Sequence, residues 1–327
     1  RGLGDVYKRQ TVYGVKSNTM SVTVYALPSI SISVNKTAVD QGVSIQATVT
    51  VSGGTPNYSI TVYWGDGSTT SDTWTSTGSS TYVHAYTTTG GKIVYAKVTD
   101  GGGKTVSSSS VTVGVSPVIT GSASFSPTSV DANQQSVTAS VTFSGGTAPY
   151  SITVYWGDNT TSSQSNISST GTYTFTHTYT ASGSYSAYVT VSSSGGSVLK
   201  TSSTTISVSP SLSASISVSK TTIDAGISDT ASVTISGGKA NYSITVYWGD
   251  NTTSSQSNIS STGTYTFTHS YSSTGSKSVY ANVSDANGVS VNTSTVTVTV
   301  NPAVSISASF SPTTIKQGSS VTASVTI

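Results

Sequence analysis

Three histidines, His84, His177 and His269, follow one another at intervals of 93 and 92 residues. Each comes 18 or 19 residues after an aspartate set in a common motif: Asp66, Asp158 and Asp250. A histidine, an aspartate and a hydroxyl are the parts of a nucleophilic hydrolase, in which imidazole takes the serine proton and the carboxylate orients the ring. The hydroxyl carries no information here, because Ser and Thr together make up 129 of the 327 residues. The same slot filled in three near-identical units points to fold maintenance, since an active site repeated along a chain would be unusual. No catalytic and no cofactor-binding residue is therefore assigned.

The aspartates invite a second chemistry. Asp66, Asp158 and Asp250, with Asp100 and Asp285, carry oxygens that suit Ca²⁺, which takes six to eight of them. One or two carboxylates per unit is thin, and no D-x-D-x-D loop occurs, so these residues are read as caps of turns and no metal ligand is assigned.

Aromatic residues divide by phase. Trp64, Trp156 and Trp248, each 92 residues from the next, lie in step with neighbouring Ile and Val and belong to a core. Tyr86, Tyr179 and Tyr271 stand at a corner, where a hydroxyl bonds to backbone. Tyr63, Tyr155 and Tyr247 are one residue out of step with the core of their strand, as are Tyr95, Tyr188 and Tyr280 in a later one. If the two strands are neighbours, each unit shows a tyrosine pair on an outer face. Such a pair steadies a sheet by up to about 1 kcal/mol, or offers a ledge for lateral packing or glycan contact. Nine N-x-S/T sequons occur; Asn166 and Asn258, in equivalent polar stretches read as loops, are the expected glycan acceptors.

The elements that position these residues repeat. NYSITVYWGDG begins at Asn57, PYSITVYWGDN at Pro149 and NYSITVYWGDN at Asn241. Pro28, Pro117, Pro210 and Pro302 punctuate the chain at 89, 93 and 92 residues. Within a unit, apolar and Ser/Thr residues alternate with the period of a half-buried strand: Ile30-Ile32-Val34, Ile45-Ala47-Val49-Val51, Tyr58-Ile60-Val62-Trp64, Tyr82-His84-Tyr86, Val94-Ala96-Val98 and Val106 to Val115. A Ser/Thr-rich connection is expected between Gly67 and Thr81. Seven or so short strands in about 90 residues predict an all-β, two-sheet antiparallel sandwich.

The expected organisation is three sandwiches, 28–116, 117–209 and 210–301. Residues 11–27 read as the last strand of a preceding repeat and 302–327 as the first strands of a following one, both truncated. RGLGDVYKRQ (1–10) lacks the alternation and is similar to a peptide translated from sequencing-adapter read-through, so it is set aside. Outside it the chain has ten Lys, ten Asp, no Arg and no Glu, hence no net charge. No basic patch exists to hold nucleic acid or anionic lipid, no apolar stretch is long enough to span a membrane as a helix, and without Cys there is no thiolate metal site.

The order Y-x-I-x-V-x-W-G-D-G, then H-x-Y, then G-x-x-x-V-x-A-x-V-x-D-x-G resembles the PKD (polycystic kidney disease) domain. The family's fuller W-D-F-G-D-G is shortened here to W-G-D-G or W-G-D-N; its late Tyr is Lys92, Tyr185 and Lys277, and its late Asp is Asp100, Ser193 and Asp285. The resemblance implies tandem immunoglobulin-like sandwiches of a prokaryotic, archaeal-style surface protein, with Trp64, Asp66 and His84 and their counterparts as structural motif residues. It implies a structural, non-enzymatic role in spacing or adhesion as stalk, surface layer or filament. Partners would be other copies, other surface proteins or glycans. A glycan-binding adhesin module and an accessory region of a large secreted hydrolase are the competing expectations. Stiff Pro-bearing linkers and strands of about ten residues suggest roughly 30–40 Å per unit, hence a rod on the order of 100 Å.

Overall fold

The computed structural model describes residues 11–12, 15–16 and 20–327. The first ten residues, expected to be foreign to the pattern, lie outside the described residues. Among the described residues there is no helix, and so none long and apolar enough to cross a membrane.

The first repeat shows how the alternation folds. Its strands are β1 (Ser29–Val34), β2 (Ala38–Asp40), β3 (Ser44–Ser52), β4 (Tyr58–Tyr63), β5 (Thr69–Trp74), β6 (Gly78–Ala85), β7 (Gly90–Thr99), β8 (Thr105–Ser107) and β9 (Val111–Ser116). One sheet runs β1-β3-β6, and the other runs β2-β9-β7-β4-β5 with β8 paired to β7. All these pairs are antiparallel except β2 with β9. The inward positions of both sheets make one core, in which Ile45, Val49, Ile60, Val62, Trp64, Val94 and Val98 are fully buried. Burying side chains of this size stabilises by roughly 1.5–3 kcal/mol each. The third repeat has the same two sheets and an equivalent core around Trp248.

Three sequence expectations change. The Ser/Thr connection after Gly67 is largely strand: β5 is an edge strand with no fully buried residue, so its sequence, TTSDTW, carries no apolar run. Asn166 and Asn258 are not in loops. They are exposed residues of the equivalent edge strands, Thr161–Ile167 and Thr253–Ile259, at a register shift, with φ of 57° each. A bulge takes up the extra residue, and Asn tolerates the left-handed conformation that it needs. Finally, Pro28 is not the counterpart of Pro117 and Pro210. The amides of Gly54, Gly146 and Gly238 donate to Ala26, Pro117 and Pro210, so Pro28 stands where Ile119 and Leu212 do, which is why the first proline interval is short.

Residues 11–12 and 15–16 form a two-residue antiparallel ladder, and Met20–Leu27 carries only an isolated bridge at Val24.

The chain divides into two compact units. One comprises the residues up to Ser124 with Ala139–Phe175 and Ala187–Ser203; the other comprises Phe125–Thr138, Thr176–Ser186 and Thr204–Ile327. The first contains a polar joint between the first two repeats. Asp40, at the end of β2, is fully buried. It accepts hydrogen bonds from the hydroxyls of Ser193, Ser197 and Thr147 and from the Ser197 amide. Burial alone would raise this carboxyl; the donors of Ser193, Ser197 and Thr147 outweigh it and hold the pKa below the usual value.

Candidate functional site

Two arrangements could do chemistry. In the first repeat the W-G-D-G turn follows β4. Gly65 sits at φ +81°, and a Cβ there would lie 2.4 Å from the Ile93 amide nitrogen, so only glycine fits. The turn carries Asp66 back beneath the end of β6. There His84 Nε2 lies 2.7 Å from Asp66 Oδ2, and the two side chains are 18% and 13% exposed. The His84 ring is parallel to the Trp64 indole at 4.8 Å between centroids and edge-on to Tyr86 at 4.8 Å. Trp64 Nε1 donates to Thr70 Oγ1 (2.9 Å), and the Tyr86 hydroxyl donates to the Trp64 carbonyl (3.0 Å).

Ser68 completes the set but not as a nucleophile. Its hydroxyl donates to Asp66 Oδ1 and is 3.4 Å from the same Nε2 that meets Asp66. A hydrolytic relay needs the imidazole between hydroxyl and carboxylate, one ring nitrogen to each; here a single nitrogen faces both. Burial pushes the Asp66 carboxyl up, while the hydroxyl and amide of Ser68, together with His84, pull it down to about 2.

The third repeat repeats the geometry, with His269 Nε2 2.8 Å from Asp250 Oδ2, the ring 4.8 Å from Trp248, and Thr252 in the place of Ser68. The Asp250 carboxyl is likewise lowered by Thr252 and His269 against its burial. In the second, Asp158 Oδ1 accepts from the Thr160 amide and hydroxyl. Trp156 is fully buried with Nε1 donating to Ser162, and His177 lies edge-on to Tyr179 at 4.7 Å. Sequence alone missed the pairing of His84 with Asp66, although their near-constant spacing of 18 or 19 residues in three units was the available signal.

The second arrangement is the tyrosine ledge. Strand register puts Tyr63 opposite Tyr95, Tyr155 opposite Tyr188, and Tyr247 opposite Tyr280. The rings stack with centroids 4.6, 4.6 and 4.7 Å apart and planes within 3°, 12° and 8°. Ammonium groups lie beside two of the ledges. Lys97 Nζ is 5.4 Å from the Tyr63 ring, and Lys200 Nζ, from a different strand, is 4.4 Å from Tyr188, within cation–π range. Beside the third, Asn282 donates its amide to Asn292. An open cavity of about 350 Å³ borders Tyr155 and Tyr188, lined also by Gly157, Asn159, Thr160 and Thr161. Among the described residues no three His, Cys, Asp or Glu side chains gather as a metal site would require.

No protein-family model matches the chain, and no curated protein matches it. Solved structures do. An I-band fragment of titin is 13% identical, with a TM-score of 0.48, covering 85% of this chain and 99% of its own. The PKD domain of an M14-like peptidase from a Thermoplasmatales archaeon is 19% identical, with a TM-score of 0.24, covering 27% of this chain and 92% of its own. A solved chain from a 1.5-MDa bacterial ice-binding adhesin is 18% identical, with a TM-score of 0.34, covering 85% of this chain and 98% of that solved chain. Each likeness is one of fold. On its own strand order, alternation and repetition, the chain is an all-β tandem of immunoglobulin-like sandwiches, similar to PKD domains.

Proposed function

We propose that this chain is a non-catalytic repeat protein of the cell surface or extracellular space, built of sandwiches 28–116, 117–209 and 210–301. In this reading it spaces or links partners through its tyrosine ledges, and the partners are other copies or neighbouring surface proteins. One observation carries the reading: the same stacked, part-exposed tyrosine pair recurs at the same register in all three repeats. The His–Asp pairs serve the turn and give a hydrolase nothing to work with. Asn166 and Asn258, exposed in edge strands, are the proposed glycan acceptors.

A glycan-binding role is the second reading. It is favoured by the cavity beside Tyr155 and Tyr188 and by the lysine over the Tyr188 ring, since aromatic faces flanked by polar groups suit sugar rings. The test is binding of the full chain, and of a variant with Tyr63, Tyr155 and Tyr247 all changed to Ala, to a glycan array and to immobilised wild-type chain. Loss of self-capture in the variant supports the first reading, and loss of array binding supports the second. A variant that binds both surfaces as well as wild type removes the ledges from the account.

A further inference from the structure

In the second compact unit, the joint between the second and third repeats uses the same positions as the Asp40 joint with different chemistry. Asp131, the counterpart of Asp40, is fully buried at the end of strand Ser129–Asp131. Opposite it stands Asp285, the counterpart of Ser193. Asn287 ties the two together: its amide nitrogen donates to Asp285 Oδ1 (3.0 Å) and its side-chain NH₂ to Asp131 Oδ1 (2.6 Å). The Asp285 carboxylate accepts from three backbone amides, those of Lys239, Asn287 and Val289, which leaves it room for one more donor. Asp131 Oδ2 is buried and has no partner. At the Asp40 joint the same place is filled by a Ser193 hydroxyl, which brings its own proton.

We propose that Asp131 and Asp285 share one proton across this joint, so that the contact between the second and third repeats is made in acid and weakened at neutral pH, while the Asp40 joint keeps its contact throughout. When Asp131 is protonated, its Oδ2–H donates to the Asp285 carboxylate and the orphaned oxygen gains its partner. When it loses the proton, two carboxylates face each other in a buried place, each disfavouring the other's charge.

The other charged and titratable groups facing Asp131 are few. Lys239, from the turn before strand Tyr242–Tyr247, donates Nζ to Ser129 Oγ and favours the ionised form. Tyr242 gives its hydroxyl to the Gly237 and Gly238 carbonyls. Burial raises the Asp131 carboxyl, the Asn287 amide draws it down and Asp285 raises it further, to about 6 in all. A folded-state value above the unfolded one means that the stabilisation is complete below the unfolded pKa, about 3.8, and is lost as pH rises through about 6. A divalent cation suits the place less well, because Asp285 is ringed by N–H donors and Lys239 stands near.

The test is amide hydrogen exchange on the full chain from about pH 4 to about pH 7, expressed as protection after correction for intrinsic rates. The reporter is Leu212, whose amide donates to Gln134 across the joint; the control is Ile119, whose amide donates to Ser197 near the other. Leu212 protection falls by about tenfold or more towards neutral pH, and Ile119 protection stays flat. In Asp131→Asn the new NH₂ donates to Asp285 at every pH, so Leu212 protection is high and flat. Asp285→Ser, which copies Ser193, is flat as well. A flat wild type, or the wild-type slope surviving in Asp131→Asn, overturns the proposal. So does full protection restored at neutral pH by calcium chloride, which would make this a cation site.

Discussion

The imidazole of His84 lies flat against the Trp64 indole, 4.8 Å away, with its Nε2 2.7 Å from Asp66. The ring thus closes one end of the core and ties the W-G-D-G turn to the opposite sheet. His84→Ala removes both contacts and leaves the Asp66 carboxylate with Ser68 alone. The expected loss is about 1–3 kcal/mol of stability at neutral pH, read from chemical unfolding of the full chain. The same variant leaves any binding by the ledges unchanged.

Tyr86 reaches the Trp64 carbonyl from the far side of the sandwich, with both residues fully buried. Tyr86→Phe strands that carbonyl in the core. The expected cost is about 1–2 kcal/mol, and Tyr271→Phe in the third repeat, where the bond to Trp248 measures 3.3 Å, costs no more.

The carboxylates set the acid limit. Asp40, Asp66, Asp100 and Asp250 all sit below their ordinary value, Asp66 at about 2. Groups lowered in this way contribute stability above the unfolded pKa of about 3.8, and it is lost as pH falls from there towards 2. Asp131 works in the opposite direction. Circular dichroism is therefore expected to hold steady from about pH 5 to about pH 4, with any transition below that. A cooperative transition inside that interval contradicts the assignment.

The third repeat buries Asp229 where the first has the fully buried Ile45. Its Oδ1 accepts from Ser219, Lys220 and Thr230, but its Oδ2 has no partner. Asp229→Asn keeps the acceptor and removes a buried charge. It is expected to raise the stability of the third repeat by about 1 kcal/mol, measured as a higher unfolding midpoint.

Much of this was legible in the sequence, and the reason is the period of the strand. Tyr63 and Tyr95 could be placed on one outer face because each is a single step out of phase with residues that must be buried, and two-residue alternation leaves no third direction. Trp64 was legible as core by the same argument. Strand β5 was not, because an edge strand with open faces needs no apolar residues. Nor were the bulges at Asn166 and Asn258, where one extra residue interrupts the alternation without changing composition. The joints were the least visible. Asp40 meets Ser193, and Asp131 meets Asn287, across more than 150 residues of sequence, and no local pattern marks a carboxylate that will be buried by the next repeat.

The central claim is that the tyrosine ledges are contact surfaces and not only sheet braces. Sedimentation velocity of the full chain over a range of concentrations, beside the variant with Tyr63, Tyr155 and Tyr247 changed to Ala, tests it most directly. The account predicts that the wild-type chain associates as concentration rises, and that the variant, still folded, sediments as a monomer throughout. Identical sedimentation of the two chains would leave each stacked pair as a brace worth up to about 1 kcal/mol to its own sheet and contradict the claim.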